Sequence, residues 1–187
     1  MKEVKIGDQT WATKNLDVTE FRNGDPIPEV RTDADWQKAG KHGKPACCYY
    51  ENDPANGTKY GKLYNWYAVN DPRGLAPKGW HVPSDAEWTI LADYLGGVKE
   101  AGTKLKSASD WKNNSNGSNS SGFAGLPGGG RGDGGKFSGI GAFGYWWRSL
   151  EGSAGGAWFL FLDYGSGNIN RDGNDKRYGF SVRCLGD

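Results

Sequence analysis

No stretch of this chain approaches the ~20 consecutive apolar residues that a membrane-spanning helix needs, so insertion into a bilayer is not expected. Charge of one sign is also missing. Lys and Arg number 23 against 22 Asp and Glu, a formal net charge of +1, which gives no field to attract nucleic acid or an anionic membrane. The opening Met1-Lys2-Glu3-Val4-Lys5 has no apolar core, so no export signal is expected within the sequence. Metal-ligating residues are few: two histidines, His42 and His81, and three cysteines with no C-x-x-C or Cys/His spacing. No zinc set can be written from them, and no cofactor is expected. Cys47 and Cys48 are adjacent and would pair with each other only through a strained ring. Either one of them bridges to Cys184 and leaves a free thiol, or all three are buried and reduced.

What the chain has in quantity is glycine and large aromatics: 31 Gly, nine Trp, nine Tyr and seven Phe in 187 residues. That mixture fits a loop-rich fold whose irregular backbone is held by aromatic anchors. The length predicts one domain, residues 1–187. Glu3 to Ile6 reads as a first strand, and Thr32-Asp33-Ala34-Asp35-Trp36 opens a short helix ending near Gly40. Cys47 to Tyr50 reads as strand, Asn56-Gly57 as a turn, and Leu63 to Val69 as a buried strand or short helix. The clearest element begins with the capping box Ser84-Asp85-Ala86-Glu87, continues through Trp88, Leu91 and Leu95 at helical spacing, and stops at Gly96-Gly97. A second helical piece is expected around Gly102 to Ser107, and Asn113 to Ser121 as loop. From Tyr145 onward the chain reads as three strands separated by Gly165-Ser166-Gly167 and Asp172-Gly173-Asn174. The pattern is an α+β fold.

Within the last segment, Trp158, Leu160 and Leu162 alternate with Phe159, Phe161 and Asp163. Alternate side chains of a strand face opposite ways. The first set is expected in the core and the second on the surface, where two exposed phenylalanines would mark a contact surface. On this expectation Phe159 and Phe161 can both become Asn with folding nearly intact. The competing reading packs both rings under the Asn113 to Ser121 loop.

Several blocks in order carry a family resemblance. They are Tyr60-Gly61-Lys62-Leu63-Tyr64-Asn65-Trp66-Tyr67-Ala68-Val69, Gly79-Trp80-His81-Val82-Pro83-Ser84-Asp85-Ala86-Glu87-Trp88, Leu95-Gly96-Gly97, Lys104-Leu105-Lys106, Gly122-Phe123-Ala124-Gly125-Leu126-Pro127-Gly128-Gly129 and Gly179-Phe180-Ser181-Val182-Arg183-Cys184. Over nearly the whole chain these resemble the Fibrobacter succinogenes major paralogous domain family. The resemblance implies a C-type-lectin-like fold, related to the formylglycine-generating enzymes: small twisted antiparallel sheets with two helices and long irregular loops. The N- and C-terminal strands, from Glu3 and Phe180, would then lie close together. It extends to the variable proteins of diversity-generating retroelements, whose C-terminal segment is rewritten to create new binding surfaces. Here that segment corresponds to residues 147–183.

The resemblance and the strand alternation together nominate one ligand-binding face: Arg148, Leu150, Glu151, Ser153, Phe159, Phe161, Asp163, Tyr164, Asn168, Asn170, Asp172, Asn174, Asp175 and Tyr178. Its aromatic, Arg, Asn and Ser content is that of interface hot spots and antibody paratopes. The implied protein is a non-enzymatic adhesion or receptor-binding module on a phage particle or cell surface, taking a surface protein or a glycan. A carbohydrate-binding module of a polysaccharide-degrading system is the alternative, and a sulfatase-modifying-factor-like enzyme the more distant one. The oxidase chemistry of that last group relies on cysteines in the C-terminal half, where this chain has only Cys184, without a second cysteine or a cationic neighbour in a cleft. His81 is expected to hydrogen-bond in the core.

Four short motifs fail on inspection. Gly130 to Lys136 has phosphate-loop spacing, but Phe137 stands where a Ser or Thr would hold magnesium. Gly130, Gly132 and Gly135 fit G-x-G-x-x-G without a preceding Rossmann strand; a glycine hairpin is expected there. Asn168, Asn170, Asp172 and Gly173 imitate an EF-hand start, but Gly179 occupies the position of the bidentate Glu. Arg131-Gly132-Asp133 is read as a chance integrin tripeptide.

Overall fold

The computed structural model describes residues 1–187 and is a mixed α+β fold, mostly sheet, with five short helices and no closed barrel. The chain opens with a hairpin of β1 (Glu3–Ile6) and β2 (Gln9–Ala12), turning at Gly7 with φ +62. Next comes α1 (Asp33–Lys41), capped by the Thr32 hydroxyl accepting from Asp35 N–H, then β3 (Cys47–Cys48). A 3₁₀ turn over Tyr50–Asn52 precedes α2 (Pro54–Tyr60). Asn56-Gly57, expected as a turn, lies inside α2. Asp53 caps the helix and Pro54 opens it, and those start signals outweigh an Asn-Gly pair.

Leu63 to Val69 resolves into both forms anticipated for it, β4 (Leu63–Asn65) followed by α3 (Trp66–Val69), with Asn65 Oδ1 accepting from Ala68 N–H as the cap. After β5 (Trp80–His81), α4 (Asp85–Tyr94) carries the reciprocal capping box of Ser84 and Glu87. Trp88, Leu91 and Leu95 are buried as the spacing requires. The second helix, α5 (Val98–Leu105), starts earlier than Gly102 and is approached closely by the chain. A Cβ on Gly102 would lie 2.4 Å from the carbonyl oxygens of Gly167 and Asn168. Asn113 to Ser121 is irregular apart from a 3₁₀ turn at Lys112–Asn114.

The glycine-rich stretch is a hairpin, as expected: β6 (Gly128–Arg131) pairs antiparallel with β7 (Phe137–Ile140). The buried Arg131 guanidinium fixes it by donating to the carbonyls of Gly135, Val30 and Arg31. Asp133 pairs instead with Arg177, so the Arg-Gly-Asp tripeptide is tied into the fold. The last third consists of β8 (Phe143–Glu151), β9 (Gly156–Asp163), β10 (Asn170–Asp175), β11 (Gly179–Phe180) and β12 (Leu185–Gly186). Asp172-Gly173-Asn174 is therefore strand and not turn; the two turns fall at residues 152–155 and 164–169. Because β10 is extended, Asn170 and Asp172 do not wrap about a point as an EF-hand loop would.

Two sheets result. The smaller runs β1-β2-β12-β5, so Leu185 near the end of the chain pairs with Trp11 near its start. Phe180 lies in the other sheet, so the terminal segments meet through β12 rather than through β11. The larger runs β10-β9-β8-β6-β11-β4-β3, with β7 alongside β6, and is antiparallel except at the single β6–β8 pairing. This sheet is a wall between two cores. On one side Trp146, Leu160 and Leu162 pack with Trp11, Trp88, Leu91 and Phe123. On the other Trp147, Ala157, Phe159 and Phe180 pack with Tyr64, Trp66 and Val182. All three cysteines are free and buried.

Candidate functional site

The strand parity read from the sequence holds, but its consequence for exposure does not. Pairing of Tyr145 with Phe161, Trp147 with Phe159, Phe161 with Asn170 and Phe159 with Asp172 sets these side chains on one face of the sheet. That face is covered over most of its area. Phe159 is only 5% exposed, ringed by Phe180, Phe161, Tyr145 and Trp147 at centroid distances of 4.9, 5.8, 5.9 and 6.2 Å. It is core. The covering comes from Trp147 and Phe180, not from the Asn113 to Ser121 loop. Trp158, expected inside, is half-buried, with the Arg171 guanidinium over its ring.

Where the cover stops, a cleft of about 240 Å³ opens between the β6–β7 hairpin and β8 to β10. Its floor is aromatic. Phe143 and Tyr145 stack at 5.5 Å with 10° between planes, Tyr145 stacks on Phe180 at 4.8 Å, and the half-buried Phe161 and Tyr178 close the sides. Polar groups stand at the rim: Asp172, Asn174 and the exposed Ser138. Burial pushes the Tyr145 phenol up to about 12, so its hydroxyl stays a neutral donor and acceptor. A stacked aromatic floor with a hydrogen-bonding rim can hold a flat or ring-shaped apolar surface while orienting its polar edge.

Of the residues nominated from sequence, Phe159, Phe161, Asp172, Asn174 and Tyr178 meet in this cleft, with Phe159 as buried floor. Leu150, Glu151 and Ser153 lie exposed at the far tip of the β8–β9 hairpin, where Glu151 pairs with Lys176 and the Ser153 hydroxyl accepts from Gly156 N–H. Asp163, Tyr164, Asn168 and Asn170 belong to the opposite end. There Asp163 accepts from Gly165 N–H, the Ser166 hydroxyl and the Asn170 amide, holding the β9–β10 turn. Lys112 sits over the Tyr164 ring. Asp175 is engaged by Arg177, whose hydrogen bonds hold its carboxyl below the usual range. Arg148 is a correction: it is 3% exposed, on the α4 side of the sheet, against Asp85. Even parity with Trp146 places it there. The single face expected from sequence is thus three separate patches and one buried arginine.

Phe143, Tyr145, Ser138 and Phe180 were not nominated. Phe143 and Tyr145 share the parity of Trp147, a signal available in the sequence; Ser138 and Phe180 arrive from other strands and carried none.

No cluster of side chains in the cleft resembles a nucleophile with its base. Burial pushes the thiols of Cys47 and Cys184 up to about 12 and that of Cys48 up to about 11. His81 is half-exposed, not core, and its ring nitrogens meet Asp187 Oδ1 at 2.8 Å and Glu87 Oε1 at 2.9 Å. No helix is long and apolar enough to cross a membrane.

Neither the curated proteins nor the solved structures gave a match to this chain. The family model described as the Fibrobacter succinogenes major domain matches residues 4–185. With a match over almost its full length, the chain belongs to the Fibrobacter succinogenes major domain family.

Proposed function

We propose that this protein is a non-enzymatic receptor-binding module of C-type-lectin-like fold, and that its ligand seats in the aromatic cleft. One observation carries the reading. A half-exposed aromatic floor, hydrogen-bonding at its rim, takes Phe159, Phe161, Asp172, Asn174, Tyr178 and Phe180 from residues 147–183, the segment that resembles the rewritten region of retroelement-diversified proteins. The pairing of Trp11 with Leu185, which brings the two ends of the chain into one sheet, is the feature that supports the lectin-like assignment. Phe161, Asp172, Asn174 and Tyr178 stand on the cleft side without filling the core, so their replacement alters the surface offered to a partner and leaves the support beneath it. The partner in this reading is a cell-surface protein, and the protein works outside the cell or on a phage particle.

A display library randomised at Phe161, Asp172, Asn174 and Tyr178 tests it. Most members should fold and some should bind chosen protein targets. A library that loses folding as broadly as one randomised at Phe159 would refute the reading. In the genome, a neighbouring reverse transcriptase gene and a near-identical template repeat should accompany the sequence. A second reading, a carbohydrate-binding module, draws on the nearly parallel Phe143 and Tyr145 rings, since an aromatic face suits the flat face of a sugar ring. Binding on a neutral-glycan array that is lost in Tyr145→Ala would favour it.

A further inference from the structure

On the opposite side of the sheet a second cleft, of about 500 Å³, lies between α4, the start of α5 and β10. Its volume is in the ordinary range for small-ligand sites. Two of the side chains that line it, Trp88 and Arg148, are 1% and 3% exposed. The indole Nε1 of Trp88 and the Nε of Arg148 are buried and find no acceptor anywhere in the protein. Buried donors left unpaired are uncommon and costly. Trp88 could have been phenylalanine if only its tilted packing on Trp11 and its edge-on packing on Phe123 mattered.

The charges around them narrow the chemistry. Arg148 and the exposed Arg171 both meet Asp85, one carboxylate shared between two guanidinium groups. Burial, reinforced by the neighbouring Arg171, lowers Arg148 to about 10, so its cationic form is under-compensated where it stands. One further monoanion completes that set. A phosphate dianion would overshoot it. The planar fork of an arginine takes a carboxylate in preference to a spherical anion. Thr89 and Asp93, further along α4, line the same cleft with a hydroxyl and a carboxylate. They suit the hydroxyl groups of a polyol and would be wasted on an aliphatic acid.

We infer that this cleft is a second binding site, separate from the aromatic cleft, for an acidic sugar of the uronic acid class. The carboxylate lies on Arg148 and Arg171 and accepts from the Trp88 indole, and the ring hydroxyls meet Thr89 and Asp93.

Titration calorimetry of the full chain with galacturonate, its neutral methyl ester and N-acetylleucine tests this. Galacturonate should bind with a dissociation constant of about 1 mM or better, and the ester at least about tenfold more weakly. Arg171→Gln, a change at an exposed side chain, should weaken galacturonate severalfold with folding unchanged. Phe161→Ala, in the other cleft, should leave it unaltered, so this site and the proposed receptor cleft fail or survive independently. In a ¹H–¹⁵N spectrum, the indole resonance that disappears in Trp88→Phe should be the one that galacturonate shifts. Equal binding of acid and ester, tighter binding of N-acetylleucine, no binding up to about 10 mM, or an unmoved Trp88 indole signal would each overturn the assignment.

Discussion

Truncating Phe159 separates a core residue from a surface anchor. Its ring is 5% exposed and lies within 6.2 Å, centroid to centroid, of Phe180, Phe161, Tyr145 and Trp147. Removing a buried phenylalanine ring costs about 3–5 kcal/mol through lost transfer energy and the cavity left behind. Favourable aromatic pairs add about 0.5–1.5 kcal/mol each, an amount already contained in such measured losses. Phe159→Ala should therefore lower stability by about 3–5 kcal/mol, a large part of the total for an ordinary domain. Phe159→Asn should do worse, because it also buries an amide without a partner. Phe161→Ala, at a half-buried ring, should cost about 1–2 kcal/mol, below the cost at a fully buried site. Urea denaturation followed by tryptophan fluorescence reads the difference as a shift in midpoint at constant slope. If Phe159→Ala kept the parent midpoint, or if the order of the two variants were reversed, the packing on that face of β9 would be wrong.

Leu91→Ala, at a residue with no exposed surface in the α4 core, should cost about 2–5 kcal/mol by the same denaturation assay. The three cysteines should resist Ellman's reagent in the native protein and react once urea unfolds it, because burial raises all three thiols; prompt native-state labelling would contradict their placement. Burial disfavours the charged His81 ring, but its hydrogen bonds to Asp187 and Glu87 outweigh that and raise its pKa above 6.5. The contribution of that imidazolium is complete below the unfolded value and is lost as pH rises through the folded one. The thermal midpoint should fall as pH rises above 6.5, and His81→Gln should flatten that part of the profile; an identical slope in the variant would remove His81 as its cause.

Local signals in the sequence were reliable where the physics is local. Ser84 and Glu87 are three residues apart, so the capping box and its helix could be read directly. The Gly130 to Lys136 hairpin was also legible, because neither a Rossmann strand nor a magnesium-holding hydroxyl accompanied its glycines. Parity along β9 was correct as well. Exposure was not readable from it. Whether Phe159 meets water depends on Phe180 and Trp147 arriving on the same face. Arg148 is buried because Asp85, on another element, meets it. Asn56-Gly57 misled because two turn-forming residues say nothing of the Asp53 cap just before them. For the candidate site, Tyr178 and the residues of β9 and β10 were visible, Phe143 and Tyr145 of β8 carried only their parity with Trp147, and Ser138 of β7 and Phe180 of β11 carried no signal.

A sheet with one wet face polices its own alignment, since a slip by one residue would turn its greasy side outward. The β8–β9 ladder has lost that safeguard. With apolar rings on both sides, sliding by one would trade phenylalanine for leucine in two dry interiors and expose little. Alignment must be pinned some other way, and the adjacent indoles do it. Trp146 donates to the Asn15 side chain and Trp147 to the Tyr64 carbonyl, each at 2.8 Å and on opposite sides. A displaced strand would strand both N–H groups at once. These two tryptophans act as dowels through the wall, and replacing either with phenylalanine, which removes the N–H together with part of the ring, would show itself as strand misalignment and aggregation.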